Sequence, residues 1–263
     1  MSAAPNAILD VRDLEKTFGS VVAARDISVS VPPLQTVGII GSNGAGKTTF
    51  VNMITGHLRP TKGSIRFEGR DITGLPSRQI TRLGISRSFQ VAQVFASQTV
   101  YENMCAAIAV ANGSDSMLWR VFTPLGSAET RKEADAAIEL FQIARYRNAR
   151  AATLPQGVRK LLDIAMAVAG SPRVLLLDEP TSGISVEEKF GLMDVVMSAL
   201  KSRKITILFV EHDMEIVGRF ADRVLAFYDG TVIADETPQT VLANPKVQTF
   251  ISGTKSPEAG HHA

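Results

Sequence analysis

The sequence predicts an α/β protein: a parallel sheet covered by helices, preceded by a β-rich segment and interrupted by a long helical stretch. Three features of the pattern lead there. Short apolar runs alternate with helical periodicity for most of the length, as in parallel strands joined by helices. Residues 1–35 depart from this, with two strand-like runs around a turn. From Tyr101 to Gly170 the pattern is almost entirely helical.

Taken in order, Ile8–Val11 and Ile27–Val31 are expected as strands, with Phe18, Gly19 and Ser20 in a turn between them. Thr36–Ile40 is a short buried strand ending at Gly41. Phe50, Met53, Ile54 and Leu58 then fall on one helical face, with Gly56 and Pro60 marking its end. Ser64–Phe67 and Ile85–Phe89 are further strands. A loop near Asn112–Ser127 interrupts the helical region. Val174–Asp178 and Ile205–Val210 are buried strands, each followed by a helix. Val224–Tyr228 and Thr231–Ala234 form a hairpin across the two-residue turn Asp229-Gly230. The small, polar tail from Ser252 to Ala263 is expected to be disordered, and His261 and His262 are tail residues there, not metal ligands. No internal repeat is visible.

At 263 residues, one large α/β domain with a subdomain is the natural expectation. Such a chain buries a full core without metals or disulfides. The apolar content of 45% and charged content of 21% are ordinary for a globular protein. A formal net charge of +2 is too small to make nucleic acid or anionic lipid the main partner. Cys105 is the single cysteine, so no internal disulfide forms and a reducing cytosol is compatible. The longest apolar stretch, Met104–Ala111, is about half of the roughly 20 residues that span a bilayer. Met1–Ala7 lacks the basic start and apolar run of a signal peptide. From these features the chain is expected in the cytoplasm.

Gly41-Ser42-Asn43-Gly44-Ala45-Gly46-Lys47-Thr48, followed by Thr49, matches the phosphate-loop pattern G-x-x-x-x-G-K-[ST]. The glycines let backbone N–H groups turn inward as an anion nest at a helix N-terminus. Lys47 adds a positive charge for the β- and γ-phosphates, and the Thr48 hydroxyl suits Mg²⁺. The string lies between a strand and an amphipathic helix, the context that gives it meaning. Farther on, Val174-Leu175-Leu176-Leu177-Asp178-Glu179 is a buried run ending in two carboxylates. Asp178 is the candidate to hold Mg²⁺ through water, and Glu179 to orient and polarise an attacking water. A strand end followed by acidic residues is common by itself. Its place downstream of a phosphate loop is what points to a nucleotide.

With these motifs the chain resembles the ATPases of ABC transporters over nearly its whole length. Gln90 in Arg87-Ser88-Phe89-Gln90 resembles that family's Q-loop glutamine, a contact for Mg²⁺ and the γ-phosphate. His212 in Val210-Glu211-His212-Asp213 resembles its switch histidine, and Phe18 stands where the family has an aromatic stacked on adenine. The resemblance implies a P-loop NTPase core with a parallel sheet, an N-terminal antiparallel β subdomain and an inserted helical subdomain. The division it implies is 1–89 with 172–235 as the ATP-binding core, 90–171 as the helical subdomain carrying the signature, and 236–263 as C-terminal helices and tail. It also implies ATP and Mg²⁺ as ligands, with Lys47, Gln90, Glu179 and His212 catalytic. Two such subunits would sandwich two ATP molecules, each between one subunit's phosphate loop and the other's signature.

Two segments depart from the family pattern. The signature L-S-G-G-Q is here Leu154-Pro155-Gln156-Gly157-Val158, so only Leu154 and Gly157 match. Pro155 removes a hydroxyl and a backbone N–H. Losing one hydrogen bond to a charged group costs about 1.5–3 kcal/mol, although Gly157 and the helix N-terminus still offer donors. In the D-loop, Gly183-Ile184-Ser185-Val186 lacks the usual Asp-Pro, and Ser185 offers a hydrogen bond without charge. A weakened signature is therefore expected.

Within the family, Asn52–Gly56, Arg82–Gln90, Glu211–Met214 and Asn244–Val247 resemble the ATPase subunits of branched-chain or hydrophobic amino-acid importers. Relatives with this pattern also serve urea, amides and aromatic acids, and a lipid-exporter ATPase is a near rival. Such an importer implies two transmembrane permease subunits, a second ATPase subunit, a periplasmic binding protein and a peripheral location on the cytoplasmic face of the membrane. Val91, Val94 and Phe95 are candidates to line a groove for a permease helix, with packing inside the subdomain an equal reading. Trp119 and Phe122 are open to the same two readings, with local packing favoured. A non-transport ABC ATPase acting on DNA or ribosomes is disfavoured by the single domain and near-neutral charge. A GTPase is disfavoured because no N-K-x-D segment is present.

Overall fold

A computed structural model describes residues 7–88, 90, 92–112 and 127–250. The expectations for Phe89, Val91, Trp119, Phe122 and the tail from Ser252 fall outside them. In chain order the elements are β1 (Leu9–Phe18), β2 (Val21–Val31), β3 (Thr36–Gly41), α1 (Lys47–Ile54), β4 (Lys62–Phe67), β5 (Arg70–Asp71), α2 (Ser77–Leu83) and β6 (Ile85–Ser88). The helical region carries α3 (Val100–Ala111), α4 (Ala128–Leu140) and α5 (Gln156–Val168). The remaining elements are β7 (Val174–Asp178), α6 (Val186–Ser202), β8 (Thr206–Val210), α7 (Met214–Phe220), β9 (Arg223–Tyr228), β10 (Thr231–Glu236), α8 (Pro238–Ala243) and α9 (Pro245–Phe250). Two compact units result: Met1–Ile80 with Leu208–Ala263, and Thr81–Ile207.

The first unit holds an antiparallel sheet in the order β2-β1-β4-β5. Leu9, Val11, Leu14, Ala24, Ile27, Val29, Val31, Ile65 and Phe67 are its buried residues, largely the alternation that a sheet with one covered face requires. Its first two strands run well beyond the predicted Ile8–Val11 and Ile27–Val31. Register shifts after Val11, Leu14 and Lys16 let polar residues join the ladder without breaking it. The same unit contains β3, parallel to β9, and β9 antiparallel to β10. Every residue of β3 is buried, which is why it is a continuous apolar run and not an alternating one. Helix α1 lays Phe50 against Phe227, ring centroids 5.2 Å apart. It is shorter than the periodicity suggested: Thr55 caps it and Gly56 leaves at φ 71°, so Leu58 lies beyond the helix.

In the second unit β6 runs parallel to β7, with Ile85 opposite Val174 and Ser88 opposite Leu177. Helix α3 packs on α4 and α5. It begins with a capping box: Thr99 Oγ accepts from Glu102 N at 3.1 Å while the Glu102 carboxylate accepts from Thr99 N at 2.7 Å. Between α4 and α5 the predicted helix is replaced by two single 3-10 turns, Ala144–Tyr146 and Ala151–Thr153. The buried Phe141, Ile143, Ala151 and Leu154 supply the apolar content that mimicked helical periodicity there. Helix α2 was not anticipated, because Ile80 is its single buried residue. Among the described residues, no helix is long and apolar enough to cross a membrane.

Candidate functional site

The predicted site residues divide between the two units. Phe18, the loop from Gly41 to Thr49 and His212 lie in the first; Gln90, Leu154, Gly157, Asp178 and Glu179 lie in the second.

In the first unit, buried β3 ends at Gly41 and the chain turns through the phosphate loop, with Ala45 N donating to Ser42 O at 3.2 Å. Gly46 stands at φ 99° at the head of α1, where no side chain caps the helix. The first-turn N–H groups of a helix have no intrahelical acceptor, so this terminus is suited to an anion. Lys47 is buried, and its Nζ donates to Gly41 O at 2.7 Å and Ser42 O at 3.0 Å, which fixes the ammonium inside the loop. A Cβ on Gly44 would meet nothing within 4 Å. The Thr48 side chain is exposed on the first turn. Backbone donors, an ammonium and a hydroxyl converge as a triphosphate and its metal require. Phe18 is 50% exposed at the end of β1, with Lys16 Nζ 4.9 Å from its ring centroid. An aromatic of this size left uncovered suits stacking better than core packing, the role a phenylalanine near a turn would ordinarily have. His212 follows β8, exposed, with its N–H donating to Glu211 Oε2 at 3.1 Å.

In the second unit, β7 carries four buried residues and then presents Asp178 and Glu179. Glu179 sits at φ 46°, a left-handed conformation that is uncommon for a residue with a side chain. Its Oε2 accepts from Gln90 Nε2 at 2.7 Å, so two residues 89 apart in sequence are brought together. The segment from Gln90 onward is tethered at three points. Lys160 Nζ, from α5, donates to Gln90 O at 3.0 Å. Gln93 N donates to Asp163 Oδ1 at 2.7 Å, and Phe95 N to Asn103 Oδ1 at 2.8 Å. Val94 is half-buried and Phe95 59% exposed, so Phe95 is not packed away within the subdomain. Asp178 is ion-paired with Arg87 of β6, whose side chain is 8% exposed.

The degenerate signature opens α5. Pro155 is the residue before the helix and provides no side-chain cap. Gln156 bends over the D-loop, where a Cβ at Gly183 would collide with Gln156 Nε2. Ser185 uses its hydroxyl within its own chain, donating to Glu188 Oε2 at 3.2 Å. Sequence reasoning missed Arg87, Lys160 and Gln156. Arg87 lay within a segment recognised by resemblance, but nothing local pairs it with a residue 91 positions away. Among the described residues, no group of three or more His, Cys, Asp or Glu side chains is arranged to hold a metal ion.

Comparison with known proteins shows the family. The ABC transporter family profile matches residues 24–182. The high-affinity branched-chain amino acid transport ATP-binding protein BraF of Pseudomonas aeruginosa is 34% identical over 243 residues, 91% of this chain and 95% of that protein. The probable branched-chain amino acid transport ATP-binding protein LivG of Archaeoglobus fulgidus is 31% identical over 257 residues, 95% of this chain and 97% of that protein. A solved ATP-binding cassette of an ABC transporter superposes with a TM-score of 0.81 at 30% identity, covering 93% of this chain and 98% of the other. A phosphate loop at the head of an uncapped helix, an acidic pair ending a buried strand and full-length similarity to such cassettes agree: the chain belongs to the ABC transporter family, as one of its ATP-hydrolysing, nucleotide-binding subunits.

Proposed function

We propose that this chain powers uptake of branched-chain or other hydrophobic amino acids through separate membrane subunits, by hydrolysing ATP on the residues described above. The observation that carries the ATPase reading is Lys47, held buried inside a glycine loop by Gly41 O and Ser42 O. The cargo reading is supported by relatives named for branched-chain amino acid transport that match nearly end to end.

The backbone donors of residues 41–49 and the Lys47 ammonium bind the β- and γ-phosphates, and adenine stacks on Phe18. Glu179 accepts a hydrogen bond from the attacking water and polarises it. The water oxygen bonds to the γ-phosphorus and gives up a proton to the Glu179 carboxylate as the bond to the β–γ bridging oxygen breaks, and ADP and phosphate leave. Gln90, bonded to Glu179, orients that carboxylate, and His212 contacts the γ-phosphate. Thr48 and Asp178 offer hard oxygen donors that suit Mg²⁺, which neutralises phosphate charge when bound. Leu154, just before α5, and Gly157, in its first turn, serve the nucleotide of a second ATPase subunit. Two permease subunits and a periplasmic binding protein complete the assembly, with this chain peripheral on the cytoplasmic face.

In a heterodimer, the site formed by this chain's phosphate loop and the partner's signature is the more active of the two, because Pro155 weakens the other. Separate lysine substitutions in the two phosphate loops test this, and equal loss of transport from either refutes it. For the ATPase itself, Glu179→Gln should retain ATP binding and abolish turnover in the assembled transporter. Normal hydrolysis by that variant would remove Glu179 from the mechanism.

A further inference from the structure

The β9–β10 hairpin ends in a turn, Asp229 at φ 45° and Gly230 at φ 75°, that touches the phosphate loop. Gly230 N donates to Ala45 O at 3.1 Å, and Gly230 O accepts from Arg25 N at 2.8 Å, so one glycine joins the loop to β2. The fit is close. A Cβ on Gly46 would lie 2.8 Å from Ala23 O and 3.1 Å from Gly230 Cα, and one on Gly41 would lie 2.6 Å from Phe227 O. Two glycines of the loop are therefore required by β2, β9 and the turn pressing on them. Gly44, with open space at its Cβ position, is under no such pressure.

We infer that the Asp229-Gly230 turn holds the phosphate loop in its anion-binding shape, with Gly230 a positioning residue for nucleotide binding; this rests on the ATPase reading above. The peptide whose carbonyl Gly230 holds, Ala45–Gly46, carries the Gly46 N–H, one of the loop's donors. Tilting that peptide redirects the donor, while the chemistry at Glu179 is untouched.

The protein contains its own control. Glu68 and Gly69, between β4 and β5, form a turn of nearly the same shape, φ 49° and 77°, but a Cβ on Gly69 would meet nothing within 4 Å. Gly69→Ala thus imposes the same backbone penalty without touching the loop. ATP affinity of the full chain is measured by titration, and amide exchange of residues 43–48 is followed without nucleotide, under conditions where each variant is folded. Gly230→Ala should weaken ATP binding about tenfold or more, the effect of losing one hydrogen bond to a charged group. Exchange across 43–48 should accelerate with it, whereas Gly69→Ala should leave affinity within about twofold. A Cβ on Gly230 would press on β2, 3.2 Å from Ala23 O and 3.3 Å from Ala24 Cα; Gly230→Asn keeps that contact but better tolerates a left-handed backbone, so it provides the same reading if the alanine variant fails to fold. Equal affinities and equal loop exchange in the Gly230 and Gly69 variants would overturn the inference. A wild-type chain that binds no ATP would instead refute the ATPase reading, and loop exchange would still decide whether the turn shapes the loop.

Discussion

The Gln90 side-chain amide donates to the Glu179 carboxylate at 2.7 Å, while the Gln90 carbonyl is held at 3.0 Å by Lys160 of the signature helix α5. Gln90 thus ties the start of the Q-loop both to the proposed catalytic carboxylate and to the helix that would face a second subunit. Gln90→Ala should lower ATP turnover by about ten- to two-hundredfold, the range for losing a hydrogen bond to a charged group. Gln90→Glu, which sets two carboxylates against each other, should lower it further. Steady-state ATPase assays of the assembled transporter check the order, and a Gln90→Glu enzyme faster than Gln90→Ala would contradict it.

Arg87 and Asp178 form a largely buried pair between neighbouring strands. Removing one partner of such a pair leaves the other charge poorly compensated, at about 3 kcal/mol. Arg87→Met should therefore destabilise the chain by about that amount in denaturant unfolding with EDTA present. Arg87→Met combined with Asp178→Leu should recover much of the loss. A double variant as unstable as the sum of the singles would show that the pair is not coupled.

Thr99 and Glu102 close the capping box of α3. Hydrogen bonds from the Thr99 backbone and side chain hold the Glu102 carboxyl below its usual value. A group whose folded value is lowered contributes stability above its unfolded value and loses it as pH falls through the folded one. The stability advantage of wild type over Glu102→Gln should thus be full at neutral pH and vanish in acid below the usual carboxylate range. Thr99→Ala, which removes the cap hydroxyl, should cost about 1 kcal/mol. Urea unfolding across pH measures both.

Phe18 stands exposed at the end of β1. If it carries the adenine, Phe18→Ala should weaken ATP binding by about 1–3 kcal/mol, and Phe18→Trp should preserve it. Inorganic triphosphate, which has no base to stack, should bind wild type and Phe18→Ala alike. Equal ATP affinity in both proteins would assign the ring another role.

Short stretches of residues suffice for the fold class, the phosphate loop at 41–48, the buried strand ending at Asp178 and the hairpin turn at Asp229-Gly230. Each of these is a local pattern: residue type and spacing along a few residues decide whether a strand is buried, where a helix can begin or which turn fits. Periodicity misjudged α1 beyond Ile54 and the region between α4 and α5, because apolar residues buried by tertiary contact look the same whether or not a helix carries them. It takes the folded chain to show that Arg87 meets Asp178, that Gln90 meets Glu179, that Gln156 folds over Gly183, and that Gly230 holds Ala45. Those partners lie 27 to 185 residues apart. Their pairing depends on which strands and helices pack side by side, a choice made by burial of the whole core and not by any short segment of the chain.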